Sequence, residues 1–158
     1  MPSKLSRVAK WTLYLAPLVA FLAAAKLLNQ NPPVSEAQTS PDASEPLLRT
    51  RFSKAPWSVV VSAAQNALAS QRTYGRAWKT GQSSISGAEP GARLREELRV
   101  QVPVLLFTDD LVVTLSEQKD GEIRVDCASK SRIGRGDFGE NRRHILQFFR
   151  AFDANLTG

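Results

Sequence analysis

A chain of 158 residues with 42% hydrophobic and 8% aromatic content has room for one modest globular domain plus short appendages, not for several cores. The net charge of +6 resembles a nucleic-acid footprint, yet Lys4, Arg7, Lys10 and Lys26 flank the first apolar run and no acidic residue precedes Glu36; most of the excess lies outside the folded body and argues against a nucleic-acid partner. One cysteine excludes an intramolecular disulfide, and a single histidine without a ligand cluster gives no reason to expect a metal or other cofactor.

Trp11 to Ala25 carries no charge, and Leu27 and Leu28 prolong the run once the Lys26 stem reaches the interface. At 1.5 Å per residue, roughly 18 residues give about 27 Å, enough for a hydrocarbon core, so residues 1–28 are expected as a single-pass membrane anchor. Ala23-Ala24-Ala25 meets the small-residue rule of a cleavage site, which makes a signal peptide the competing reading. Either way the basic N-terminus stays cytoplasmic and the remainder crosses the membrane. Residues 29–50 hold Pro32, Pro33, Pro41 and Pro46 among Ser, Gln, Glu and Asp with no apolar period. That composition predicts a flexible, disordered tether keeping a domain at residues 51–158 close to the bilayer.

Pro56 suits a first helical turn, and Trp57, Val60, Val61, Ala64 and Leu68 mark one helical face. Arg72 to Thr80 predicts a strand with Tyr74, Arg76 and Trp78 on one side, and Gly81 to Gly91, rich in Ser and Gly, a mobile loop of lid length. Leu98, Val100, Val102, Val104 and Leu106 predict the inward row of the next strand, where Pro103 removes a ladder donor and calls for an edge or a bulge. Leu111 to Ser116 continues after Asp109-Asp110, Asp120-Gly121 is a hairpin turn, and Ile123, Val125 and Cys127 alternate with Arg124, Asp126 and Ala128. Gly134 and Gly136 then break the pattern. Asp137, three residues before Glu140, has the spacing of a helix N-cap, and Ile145, Phe148, Phe149, Phe152 and Leu156 form one apolar stripe. The expected fold is α+β: a small, mainly antiparallel four-stranded sheet packed with two helices on one face, preceded by one transmembrane helix and a disordered tether.

Asp109-Asp110 after an apolar strand, followed in order by Ser129, Ser131-Arg132, Gly134, Asp137, Gly139 and Asn141, resembles the bacterial and plastid family called domain of unknown function 1499. The likeness runs from about Pro56 to the C-terminus and is strongest over Leu105 to Ile145. It departs from the family pattern at Ala128 and His144, where an arginine is usual, and at Gly136, where a serine is. The resemblance implies a shared fold and an envelope or thylakoid setting, with the C-terminal domain on the periplasmic or lumenal side of an inner or thylakoid-type membrane. It brings no activity with it.

Ser129, Ser131, Arg132 and Arg135 lie ahead of a helix N-terminus, whose amides favour anions, although Asp137 and Glu140 compete for the same amides. Arg142, Arg143 and Arg150 mark the polar side of the helix, either a solvated face or a basic patch for anionic lipid or an acidic partner. Asp109, Asp110, Gly134, Asp137, Gly139 and Asn141 read as turn and cap residues. Neighbours on a strand point to opposite faces, so Asp109 and Asp110 diverge, with one carboxylate free to pair with Arg132. Cys127 reads as a buried small hydrophobe and His144 as a helix-surface residue. With no catalytic or metal set in view, the expected function is a membrane-tethered extracytoplasmic interaction module, an accessory or assembly subunit of a larger respiratory or photosynthetic complex. The alternative is a small hydrolase or lipid- or anion-binding protein of the envelope, which requires Asp109, Asp110, Ser129 and Ser131 to converge in one pocket. A ligand carrier would require an apolar, concave uncovered sheet face.

Overall fold

The computed structural model describes residues 36–81, 83–86, 92–132 and 139–157. In chain order these form β1 (Glu36–Gln38), a 3-10 turn (Pro46–Leu48), β2 (Arg51–Ser53), α1 (Trp57–Ala69), β3 (Arg72–Thr73), β4 (Arg76–Ala77), β5 (Lys79–Thr80), β6 (Ser84–Ser86), β7 (Ala92–Val104), β8 (Phe107–Gln118), β9 (Ile123–Ser131) and α2 (Glu140–Thr157). The expected membrane segment, residues 29–35 of the tether, Gly134, Arg135 and Asp137 lie outside the described residues. Among the described residues no helix is long and apolar enough to cross a membrane.

The period-two alternation of the sequence folds as an antiparallel meander, β7-β8-β9. Leu98, Val100 and Val102, then Leu111, Val113 and Leu115, then Ile123, Val125 and Cys127 form three buried rows on one face. Both helices lie on that face. From α1 come Val60, Ala63, Ala64, Ala67 and Leu68, whose small side chains let α2 approach closely enough for Asn155 Nδ2 to donate to the Ala63 carbonyl at 3.3 Å. From α2 come Ile145, Phe148, Phe149 and Phe152, with ring centroids 5.5 and 5.6 Å apart along the series. Each buried ring contributes on the order of 1.5–3 kcal/mol. The result is a two-layer α+β body, as expected, with both helices on one side.

The sheet has seven strands rather than four. Its outermost positions are each shared by two short strands: β1 and β2 along β9, β5 and β6 along β7. Residues 36–50, expected in the tether, are therefore folded onto the body. Glu36 to Gln38 pair with Ala128 to Lys130, and Thr39 and Thr50 both donate to Asp126 Oδ1, at 3.2 and 2.6 Å. A strand of three residues is too short to show periodicity, and it is held by the open hydrogen-bonding edge of β9.

Arg72 to Thr80 is likewise not one strand. Tyr74 and Gly75 adopt φ of 51° and 75° and turn the chain into the β3–β4 hairpin. Positive φ at both central residues is the geometry whose twist matches paired strands. The turn lets the Trp78 indole donate to Thr73 Oγ1 at 2.7 Å. Part of the expected loop at 81–91 forms β6 instead. At the far end of β7, Val104 pairs with Phe107, so Leu105 and Leu106 become the turn and not the end of an inward row. Pro103 pairs with Thr108 beyond the last β5 contact at Gln101, so its missing donor falls where the described residues place no second neighbour. Asp120-Gly121 closes β8 to β9 as expected, with Gly121 at φ 84° and the Asp120 carboxylate accepting from the Glu122 amide at 3.0 Å.

Candidate functional site

Alternation along β8 turns Asp109 toward the helices with Leu111, Val113 and Leu115, and turns Asp110 away. The two carboxylates accordingly do different work. Asp110 takes the Arg132 guanidinium in a fork, Nε to Oδ2 at 2.8 Å and Nη2 to Oδ1 at 2.6 Å, which raises the Arg132 pKa. Asp109 is buried, and the strand register sets it directly opposite Ser131. Ser129 and then half-buried Ser131 continue the inward row of β9 after Cys127. Burial pushes the Cys127 thiol well above its ordinary range, so it sits as a neutral thiol.

The first turns of α2 complete a polar cluster at this end of the sheet. Gly139, at φ 82°, allows the chain to turn into the helix, and the Arg143 amide donates to its carbonyl at 3.0 Å. Asn141 and His144, one turn apart, are both fully buried. Ser129 Oγ donates to Asn141 Oδ1 at 2.7 Å, and Asn141 Nδ2 donates to Ser131 Oγ at 2.9 Å. The His144 ring sits edge-on to Trp78, with Nδ1 at 3.5 Å from Ser129 Oγ and 3.7 Å from Asp109 Oδ2, and Nε2 at 3.6 Å from Glu140 Oε2. Over it, the Tyr74 hydroxyl donates to Glu140 Oε1 at 2.7 Å, and Arg143 donates to both Tyr74, at 3.0 Å, and Glu140. Burial opposes the charge on Arg143, but the Tyr74 and Glu140 contacts outweigh it and its pKa rises.

His144 is thus a core residue rather than the helix-surface residue expected. The signal was present in the sequence: Asn141, His144, Ile145, Phe148, Phe149 and Phe152 form one continuous helical stripe. Counting only apolar positions drops its first two members. Tyr74, Trp78 and Glu140 carried no such signal, because only the hairpin and the packing of α2 bring them here.

A serine, an imidazole and a carboxylate in contact are the ingredients of hydroxyl activation. The arrangement is nonetheless that of a fastening. Ser129 and Asp109 share Nδ1, and Glu140 stands at the opposite nitrogen, 3.6 Å from Nε2, but the Ser129 hydrogen is not directed at the imidazole. Ser129 also gives its proton to Asn141 and is 1% exposed. Among the described residues no group of three or more His, Cys, Asp or Glu gathers at metal-ligand spacing. Arg142 is engaged as well, Nε donating to Glu45 Oε2 at 2.9 Å, which pins the 3-10 segment to α2 and holds the Glu45 carboxyl below its usual range.

The sheet face away from the helices is accessible and charged. Glu97 is flanked by Arg95 and Arg99, at 3.0 and 2.7 Å, and Asp126 takes Arg124 at 2.5 Å. Two open grooves of about 480 and 400 Å³ lie on either side of Asp110 and Arg132, one lined by Gln38, Ala128 and Lys130, the other by Lys79, Arg99 and Gln101. A carrier would need a continuous apolar surface, and the ion pairs of Glu97 and Asp126 run across this face.

No curated protein and no solved structure matches this chain. A family model described as "Protein of unknown function (DUF1499)" matches residues 24–152, most of the chain including every element from β1 into α2. The chain belongs to this family, as the order of residues from Asp109 to Asn141 leads one to expect.

Proposed function

We propose that this protein is a membrane-tethered interaction module on the extracytoplasmic side of an inner or thylakoid-type membrane, an accessory or assembly subunit of a larger membrane complex. The observation that carries the reading is the contrast between the two ends of its chemistry. The hydroxyl, imidazole and carboxylate groups are spent inside on positioning α2, while a broad sheet face of alternating ion pairs stays open to a partner. Paired charges of both signs suit recognition of a protein surface of complementary pattern more than capture of a simple anion. Gently solubilised native membranes separated under native conditions test it: the protein should migrate with a complex and lose that migration on Arg99→Glu with Glu97→Lys. Migration as a lone monomer refutes it.

The hydrolase reading draws on one observation, the juxtaposition of Asp109, Ser129, Ser131 and His144. Labelling by a serine-directed fluorophosphonate, abolished by Ser129→Ala or Ser131→Ala, would favour it over the interaction module.

A further inference from the structure

The β7–β8 turn presents three consecutive large apolar side chains to solvent: Leu105 at 65%, Leu106 at 90% and Phe107 at 49% exposure. Leu105 adopts φ 43°, a conformation that glycine or asparagine takes at lower cost. A folded body gains nothing from such a tip in water. We propose that the Leu105-Leu106-Phe107 tip inserts into the lipid surface, a second and shallower membrane contact beside the N-terminal apolar run; this rests on the tethered reading above.

Register supplies the first argument. Glu36, where the described chain begins, pairs with Lys130, and Lys130 pairs with Asp110, three residues from Phe107. The N-terminal segment thus joins the sheet at the end that carries the tip. Seven residues, 29–35, separate Leu28 from Glu36, and fully extended they reach at most about 25 Å. A spanning run that stops at Leu28 therefore keeps the tip within reach of the headgroups. The size of the patch supplies the second argument. Three side chains fall far short of the roughly 800 Å² per side of a stable protein interface, whereas lipid insertion needs only a few once a tether holds the body nearby. Charge supplies the third: Lys130 faces Glu36 at 3.5 Å and Arg132 is forked to Asp110, so two of the cations nearest the tip are already held by carboxylates. The contact made by the tip itself is apolar and does not require anionic lipid.

The test uses the full chain in phosphatidylcholine vesicles, with Leu106→Cys on a Cys127→Ala background carrying an environment-sensitive fluorophore. Lys119→Cys, in the turn at the opposite end of the sheet, is the reference. The expected result is a blue-shifted probe at position 106, quenched by spin-labelled lipid and several-fold less by iodide than the probe at 119. If Cys127→Ala folds poorly, the wild-type background serves, because its thiol is buried. Equal iodide access at both positions overturns the proposal, as does shielding that appears only with native membrane proteins present. Co-flotation of chain and vesicles reports the tether separately: a floating chain with a water-exposed probe rejects the tip alone, and a chain that does not float rejects both.

Discussion

Replacing Asn141 by alanine tests whether the buried polar cluster fastens α2 to the sheet. Among the described residues, hydrogen bonds from Ser129 at 2.7 Å and to Ser131 at 2.9 Å disappear. Their costs differ. Ser131 is half-buried and recovers a water partner, so that bond costs about 0.5 kcal/mol. Ser129 is 1% exposed, and its hydroxyl keeps only the longer 3.5 Å approach to His144 Nδ1; losing a partner there costs about 1–3 kcal/mol. The expected loss is about 1.5–3.5 kcal/mol, or roughly 10 °C in Tm for a body of this size. Guanidinium unfolding with an unchanged m-value measures it. Ser129→Ala in the same chain should recover part of the loss, because the orphaned hydroxyl is gone, giving a coupling of about 1 kcal/mol or more in the double-mutant cycle. A loss under about 0.5 kcal/mol, or strict additivity of the two substitutions, refutes the reasoning.

Three further outcomes follow from the same geometry. Cys127 has a folded pKa raised above its ordinary 9.0, so its contribution to stability is complete below pH 9 and declines as pH rises above it; Cys127→Ala should remove that alkaline slope, and a thiol reagent should modify the native protein only at the rate of unfolding. Glu45 has a folded pKa below its ordinary 4.5, so the ion pair with Arg142 contributes above that pH and fades as pH falls through the folded value. With side chains 33% and 39% exposed the pair is worth less than about 1 kcal/mol, and Glu45→Gln should flatten the acid limb of the stability curve while leaving neutral Tm within a few degrees. Gly139→Ala forces a side chain into φ 82° and should cost about 1–2 kcal/mol by chemical denaturation, whereas Leu106→Asp, at a 90% exposed position, should leave stability within about 0.5 kcal/mol.

Much of this molecule is legible without coordinates. The buried rows of β8 and β9, the inward faces of both helices, the Asp120-Gly121 turn and the divergence of Asp109 from Asp110 are consequences of side-chain period and of one turn's chemistry. They are local properties that each segment carries with it. The short edge strands are of another kind. Glu36 to Gln38, Arg51 to Ser53, Lys79 to Thr80 and Ser84 to Ser86 have no period of their own, and they exist as strands because β9 and β7 offer unpaired edges of fixed register. The polar cluster belongs to the tertiary structure for the same reason. Asp109 and His144 lie 35 positions apart in sequence, and only the packing of α2 over that register brings the imidazole to 3.7 Å from the carboxylate. Side-chain pattern decides which face of a segment is buried; which segments meet, and at what position along one another, is decided by edges and packing that no single segment contains.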